Sequence, residues 1–99
     1  MVQVVWTALA VSDLQAIYEY IALNSERYGR LQVLRIRWRT RYLVAHPYLG
    51  RVVPEVNNVE LRELIEGSYR IIYRISSHSR IDIVTIHHAA RLVDPKLLG

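Results

Sequence analysis

The sequence of 99 residues contains no cysteine, which excludes a disulfide framework and a thiolate metal site. It has only four glycines and three prolines, and 52% of its residues are hydrophobic, as in a folded domain. No apolar run approaches the length of a membrane span, and the segment from Met1 to Trp6 lacks the features of a signal peptide. We therefore expect a single domain over residues 1–99, cytoplasmic and without a membrane partner.

Lysine is nearly missing from the basic residues. Thirteen basic residues outnumber nine acidic ones, for a formal net charge of +4, and Lys96 is the only lysine among them. The others are arginines, whose planar fork suits carboxylates and phosphates. This excess favours an anionic partner, either a nucleic acid or an acidic protein segment. A GC-rich genome that encodes arginine in place of lysine explains the same composition.

The first half of the chain predicts a strand followed by two helices. Val2 to Trp6 is short, β-branched and aromatic, which is typical of a strand. Apolar residues then recur at helical spacing from Ala10 to Ile21, and either Thr7 or Ser12 has the side chain of an N-cap. A second helix is predicted from about Arg30 to Ala45, because the following His-Pro pair cannot continue it.

The predicted second helix is apolar on two opposite faces, so it needs cover on both sides. We assign the face with Trp38 to the core of the domain. Either the helix is central and the domain covers its opposite face too, or a partner covers that face, unless long arginine side chains shield it. The predicted core includes Trp6, Ile17, Ile21, Trp38, Ile71 and Tyr73.

The second half of the chain predicts a loop and three strands. Turn-forming residues in Leu49-Gly50-Arg51 and from Pro54 to Asn58 indicate the loop. The strand candidates are Val59 to Ile65, Tyr69 to Ile75 and Ile81 to His88, and their short connections predict hairpins. The expected fold is therefore α+β, of order β-α-α-β-β-β, in which the N-terminal strand and a helical hairpin pack on a small antiparallel sheet.

Four fragments spread over nearly the whole chain resemble the RelE/ParE toxin superfamily. They are AVSDLQAIYEYIA in the first helix, AHPYLGR after the second, and VELRELIEGSYRIIYRI and IDIVTIHHAAR in the strands. Their order and spacing are specific, although each fragment alone is not. The resemblance implies a toxin of a type II toxin–antitoxin system, associated with plasmid stabilization. It also implies a cognate, ParD-like antitoxin that wraps the toxin in a hetero-oligomer, and no cofactor.

The resemblance allows two activities. ParE-like members inhibit DNA gyrase and are not nucleases, whereas RelE-like members cleave mRNA in the ribosome. If this chain were a nuclease, the resemblance would place catalytic charge on Arg70 and on a basic residue near Arg91, and the active site would use Arg70 with Arg62, His88 or Arg91.

Departures from the nuclease pattern favour the ParE-like branch. The strand before Arg70 carries Glu63 where RelE-like members have lysine, and no tyrosine follows Tyr73. We therefore predict a gyrase inhibitor without catalytic residues. A family member that is not toxic and acts as a binding module is a further alternative.

Four basic residues are candidates for binding the target: Arg70, Arg74, His88 and Arg91. Strand alternation places Arg70 and Arg74 on one solvent-facing side, where a hydrated surface is the competing explanation. His87 and His88 point to opposite faces of their strand and cannot readily share a metal ion, so no metal site is predicted.

The antitoxin is expected to lay an amphipathic segment on the exposed side of the helical hairpin. Apolar residues of the hairpin would anchor it, and acidic residues of the antitoxin would pair with arginines along the second helix. The predicted contacts are Tyr20, Leu23, Val33, Ile36, Arg37, Arg41 and Leu43.

Overall fold

A computed structural model describes residues 1–99 as two helices packed on a five-stranded sheet. The strands are β1 (Gln3–Trp6), β2 (Arg51–Val52), β3 (Leu61–Glu66), β4 (Tyr69–Ser77) and β5 (Arg80–His88). The helices are α1 (Ala8–Ala22) and α2 (Glu26–Arg41), with short 3-10 helices at Tyr42–Val44 and Pro95–Leu98. The predicted α+β class is confirmed. Neither helix has the length and apolar character needed to cross a membrane.

The sheet has the strand order β1-β5-β4-β3-β2. The two predicted hairpins are confirmed, because β3, β4 and β5 pair antiparallel. However, β1 runs parallel to β5, with Trp6 opposite Ile83, so the sheet is mixed and not wholly antiparallel. No hairpin joins these two strands, and the sequence therefore did not fix their relative direction. The segment predicted as a loop also contributes β2, which pairs with β3.

Two capping side chains fix the ends of the helices. The hydroxyl of Thr7, and not that of Ser12, accepts a hydrogen bond from the amide of Ala10 at 3.1 Å. The same hydroxyl donates to the carbonyl of Val84 at 2.8 Å, which attaches the start of α1 to β5. Ser25 caps α2 in the same way, so α2 begins earlier than predicted.

The main core lies between the helices and the sheet. Ile71 and Tyr73 are fully buried there, as predicted, and Trp6 and Ile17 pack against its edge. The prediction for Trp38 was wrong, because this side chain is 65% exposed. The buried members of this core are Ala10, Ile36, Leu43, Leu64, Ile71, Tyr73, Ile75, Ile81, Ile83 and Ile86.

The close packing of α2 on α1 at Gly29 explains which face of α2 turns inward. Gly29 lies against α1, and a Cβ atom there would come within 3.1 Å of the Tyr18 ring. Ile36, Thr40 and Leu43 continue this face along α2 and the turn after it, and all of them are buried. The close approach of the helices at Gly29 therefore selects the face of Ile36 over the face of Trp38.

A second, smaller core lies on the opposite face of the sheet. Val53 and the C-terminal segment (residues 89–99) cover this face, and Val93 and Leu98 are each 2% exposed. They pack with Leu61 of β3 and Ile72 of β4. This cover places the polar residues of the same face, including Arg70, inside the protein.

Candidate functional site

Arg70 lies in a buried ion-pair cluster and does not face solvent as predicted. Its side chain is 6% exposed. Nε and Nη2 donate to one oxygen of Glu63 at 2.9 and 2.6 Å, and Nη1 and Nη2 donate to the two oxygens of Glu55 at 2.7 Å each. Nη1 also donates to the carbonyl of Arg91 at 3.0 Å. All five N–H donors of Arg70 therefore have an acceptor.

The cluster is balanced in charge. Arg51 contacts the second oxygen of Glu63 at 2.6 Å, so two arginines face two carboxylates. The hydrogen bond from Arg70 lowers the pKa of Glu55 to about 2, and the same bond raises the pKa of Arg70. Both groups stay ionised at neutral pH. This arrangement satisfies a buried cation and leaves none of its donors for a phosphate group.

Arg62 and Arg74 are also held by the protein itself. Arg74 is half-buried and donates a hydrogen bond to the carbonyl of Leu98. The guanidinium of Arg62 lies over the ring of Tyr48 at 4.8 Å and donates to the carbonyl of Gly50 at 2.9 Å. Of the basic residues proposed from the sequence as catalytic or target-binding, only His88 and Arg91 are exposed.

His88 and Arg91 line a surface groove between α1 and the end of β5, called here the α1–β5 groove. Tyr20, a predicted antitoxin contact, belongs to the same groove, which also includes Leu9, Asp13, Ile17, Ile21, Tyr69, His87 and Leu97. The ring of His88 packs edge-on against Tyr69, with 5.7 Å between ring centroids. The groove thus joins an apolar helix wall to a polar wall that carries histidines and an arginine.

Asp13 fixes the position of this groove. β5 continues beyond the end of β1, and its edge there has no strand partner. Asp13 accepts a hydrogen bond from the amide of Ile86 at 3.1 Å and another from the hydroxyl of Thr85. The carboxylate therefore caps an open strand edge and holds α1 beside it. The sequence prediction assigned no role to Asp13.

No three histidine, aspartate or glutamate side chains come together in a geometry that could hold a metal ion. His87 and His88 both line the groove, but the Nδ1 of His88 accepts a hydrogen bond from the amide of Ala90 at 3.1 Å. The Nδ1 of His87 lies 3.2 Å from the hydroxyl of Thr85. The two rings thus have separate hydrogen-bond partners.

Comparisons with known proteins agree with this fold. The family model for the ParE toxin of type II toxin–antitoxin systems, parDE, matches residues 4–93. The chain belongs to this toxin family. The toxin is 36% identical over 92 residues to "Toxin RelE2" of Caulobacter vibrioides, across 93% of this chain and 100% of that protein. It also resembles a structure of the "Chromosomal ParDE TA system from P. aeruginosa", with 25% identity and a TM-score of 0.73, over 89% of this chain and 96% of that chain.

The toxin exposes an apolar stripe on the outer face of α2 and of the 3-10 helix that follows it, on the side opposite to the one predicted. Leu34, Trp38 and Tyr42 are 60%, 65% and 55% exposed. Ile36 and Leu43, predicted as antitoxin contacts, are fully buried, so they cannot meet a partner while the core stays intact. The prediction that these two residues contact the antitoxin was therefore wrong.

The other predicted antitoxin contacts of the toxin lie at the surface to different degrees. Tyr20 and Leu23 of the hairpin are exposed, at 73% and 82%. Arg37 and Arg41 are exposed as well, and Val33 is half-buried. The hairpin therefore carries accessible apolar residues beside exposed arginines.

Proposed function

We propose that this toxin inhibits DNA gyrase by binding it and that a cognate, ParD-like antitoxin neutralises it. The target contacts the α1–β5 groove, where His88 and Arg91 supply basic and hydrogen-bonding groups. Arg70 and Arg74, which the sequence suggested as target contacts, instead donate to backbone carbonyls of the C-terminal segment and are not assigned to the target. The name of the family that matches the chain supports this branch of the superfamily.

Every N–H donor of Arg70 already has an acceptor within the protein, and this observation favours a binding activity over RNA cleavage. Cleavage of RNA by its 2′-hydroxyl needs a base, an acid and a positive charge on the reacting phosphate. Arg70 would have to break at least one charged hydrogen bond with Glu55 or Glu63 to reach a phosphate. Loss of such a bond typically costs about 1.5–3 kcal/mol. The carboxylate that gives up the bond would also be left buried with part of its charge unpaired.

Inhibition of purified gyrase tests this proposal. The toxin should block supercoiling of relaxed plasmid, and Arg91→Ala should weaken the inhibition without unfolding the protein. Because the contact involves exposed charge, added salt should weaken it too. The matched control is Arg80→Ala, which removes an exposed arginine that pairs with Asp82 on another part of the sheet. Unchanged supercoiling at high toxin concentration would contradict the proposal.

A ribosome-dependent mRNA endonuclease is the second candidate. The relative from Caulobacter vibrioides carries the name RelE2, and His88 and Arg91 lie together in one groove that RNA could enter. Cleavage of ribosome-bound mRNA at defined positions, lost in His88→Ala, would establish this activity. If the toxin neither inhibits gyrase nor cleaves mRNA, a non-toxic binding module is the remaining function.

For neutralisation, we propose that an acidic amphipathic helix of the antitoxin covers the outer face of α2. Leu34, Trp38 and Tyr42 have helical spacing and form the apolar anchor of this contact. Arg37 and Arg41, predicted from the sequence, pair with acidic residues of the antitoxin at its edge.

A double substitution tests the neutralising surface. Leu34→Asp with Trp38→Asp should abolish binding of the antitoxin and leave the fold intact, since both residues are exposed. Val59→Asp is the matched control, because Val59 is 58% exposed and lies outside the hairpin. Unchanged antitoxin affinity of the double variant would exclude the outer face of α2 as the contact.

A further inference from the structure

The C-terminal segment is attached to the sheet by polar contacts as well as by its apolar side chains. Arg70 donates to the carbonyl of Arg91 at 3.0 Å, and Glu55 accepts from the amide of Val93 at 2.9 Å. Farther along, Arg74 donates to the carbonyl of Leu98. The ion-pair cluster therefore holds the backbone on both sides of residue 92.

The side chains in this part of the segment point in different directions. Val93 is 2% exposed and packs in the second core, whereas Leu92 is 82% exposed. Arg91 is exposed and lines the α1–β5 groove. The carbonyl that Arg70 holds belongs to Arg91 itself, so the cluster fixes the backbone from which this side chain reaches the groove.

We infer that Arg70 is a positioning residue, which acts through Glu55 and the carbonyl of Arg91 to present Arg91 to the partner in the groove. The part of this inference that concerns activity rests on the proposed function and is tested by gyrase inhibition. The part that concerns the attachment of the segment is tested by amide hydrogen exchange and does not depend on that function. A bound side chain that is already oriented loses less conformational freedom on association, so loosening its backbone weakens binding. Arg70 thus affects activity without touching the target.

Lysine is the informative substitution for Arg70. It keeps the positive charge beside Glu55 and Glu63 but has three donors in place of five and no planar fork. It therefore cannot hold both carboxylates and the carbonyl of Arg91 in the present geometry. Glu55→Gln is the second variant, because it weakens the contact to the Val93 amide and leaves the contacts between Arg70 and Glu63 in place.

Amide hydrogen exchange measures the attachment directly. In Arg70→Lys and in Glu55→Gln, protection of the Val93 amide should fall by about 10–100-fold, as expected for loss of a hydrogen bond to a charged group. Core amides of β4 and β5, such as those of Ile71 and Ile86, should keep their protection. An unchanged Val93 amide, or an equal loss across the whole sheet, would overturn the inference. If Arg70→Lys does not fold, Glu55→Gln alone decides by the same criterion.

Gyrase inhibition then links the attachment to activity. Arg70→Lys should raise the toxin concentration needed for half-inhibition, by about tenfold if one charged contact is misplaced. In the Arg91→Ala background, Arg70→Lys should have little further effect on inhibition. Arg70 acts on the target only through the side chain of Arg91, which this background lacks. Additive losses in the double variant would overturn the positioning role. Failure of the wild-type toxin to inhibit gyrase would refute the proposed function alone, and the exchange result would still decide the attachment.

Discussion

Arg70 and Glu55 face each other as a bidentate ion pair, with both nitrogen–oxygen distances at 2.7 Å. The pair joins β4 to the chain after β2, and both partners also bind backbone atoms of the C-terminal segment. The basic residue that most resembles a phosphate-binding group in the sequence is therefore part of the internal architecture. Its charge stabilises the position of the segment and not that of a substrate.

The pKa of Glu55 predicts how stability depends on pH. Its pKa falls from 4.5 to about 2 on folding, so the folded protein holds the ionised form more strongly than the unfolded chain does. The contribution is complete above pH 4.5 and is lost as pH falls towards 2. This group alone should lower the free energy of unfolding by about 2 kcal/mol between pH 7 and pH 3. Urea denaturation of wild type and Glu55→Gln checks this, and the variant should show a shallower loss. Parallel pH profiles would contradict the assignment.

Substitutions on the two faces of α2 should have opposite consequences. Ile36→Ala should lower the free energy of unfolding by about 2–4 kcal/mol, because Ile36 is fully buried. Trp38→Ala should change it by less than about 1 kcal/mol, because Trp38 is 65% exposed, and it should weaken binding of the antitoxin. Thermal denaturation and antitoxin titration of the same two variants give the answer. A severe loss of stability in Trp38→Ala would mean that this side chain packs in the core.

The hydroxyl of Tyr73 should stabilise the turn before β2. It donates to the carbonyl of Pro47 at 2.8 Å and accepts from the amide of Gly50 at 2.9 Å. Tyr73→Phe removes both bonds and leaves buried backbone groups without a partner, so it should cost about 1–3 kcal/mol. Tyr42→Phe serves as the control, since Tyr42 is 55% exposed, and it should be neutral. Equal unfolding midpoints for the two variants in urea would show that the buried hydroxyl contributes nothing.

The sequence predicted the hairpins well because local turn chemistry determines them. Gly67 has a φ of 58°, a conformation that glycine adopts easily, and it forms the turn between β3 and β4. The direction of β1 was not predictable in this way. Its partner β5 is distant in sequence, so no turn between them reveals whether the pairing is parallel.

The face of α2 was assigned wrongly because apolar periodicity alone does not rank two apolar faces. The largest side chain, Trp38, suggested the core, but close approach of the helices at Gly29 decided the orientation. Gly29, Ile36, Thr40 and Leu43 share the inward face, and this run of small and aliphatic residues was a signal present in the sequence.

The burial of Arg70 also had a signal in the sequence that was not used. With Glu66 opposite Tyr69 across the predicted turn, Glu63 must lie diagonally from Arg70 on the same face of the sheet. An acid and a base so placed suggest an ion pair. The cover formed by the C-terminal segment could not be predicted, because that segment has no regular apolar period and its position depends on tertiary contacts.

The most direct test of gyrase inhibition is the amount of cleaved DNA that remains attached to gyrase. Purified toxin, gyrase and supercoiled plasmid are incubated with ATP, stopped with detergent and treated with protease, and linear plasmid is quantified on a gel. The proposed function predicts that linear DNA rises with toxin concentration, that the antitoxin prevents the rise, and that Arg91→Ala reduces it while Arg80→Ala does not. The proposed function would be contradicted if linear DNA stayed at the toxin-free level and supercoiling were unimpaired. Site-specific cleavage of ribosome-bound mRNA in the same preparation would then assign the toxin to the nuclease branch.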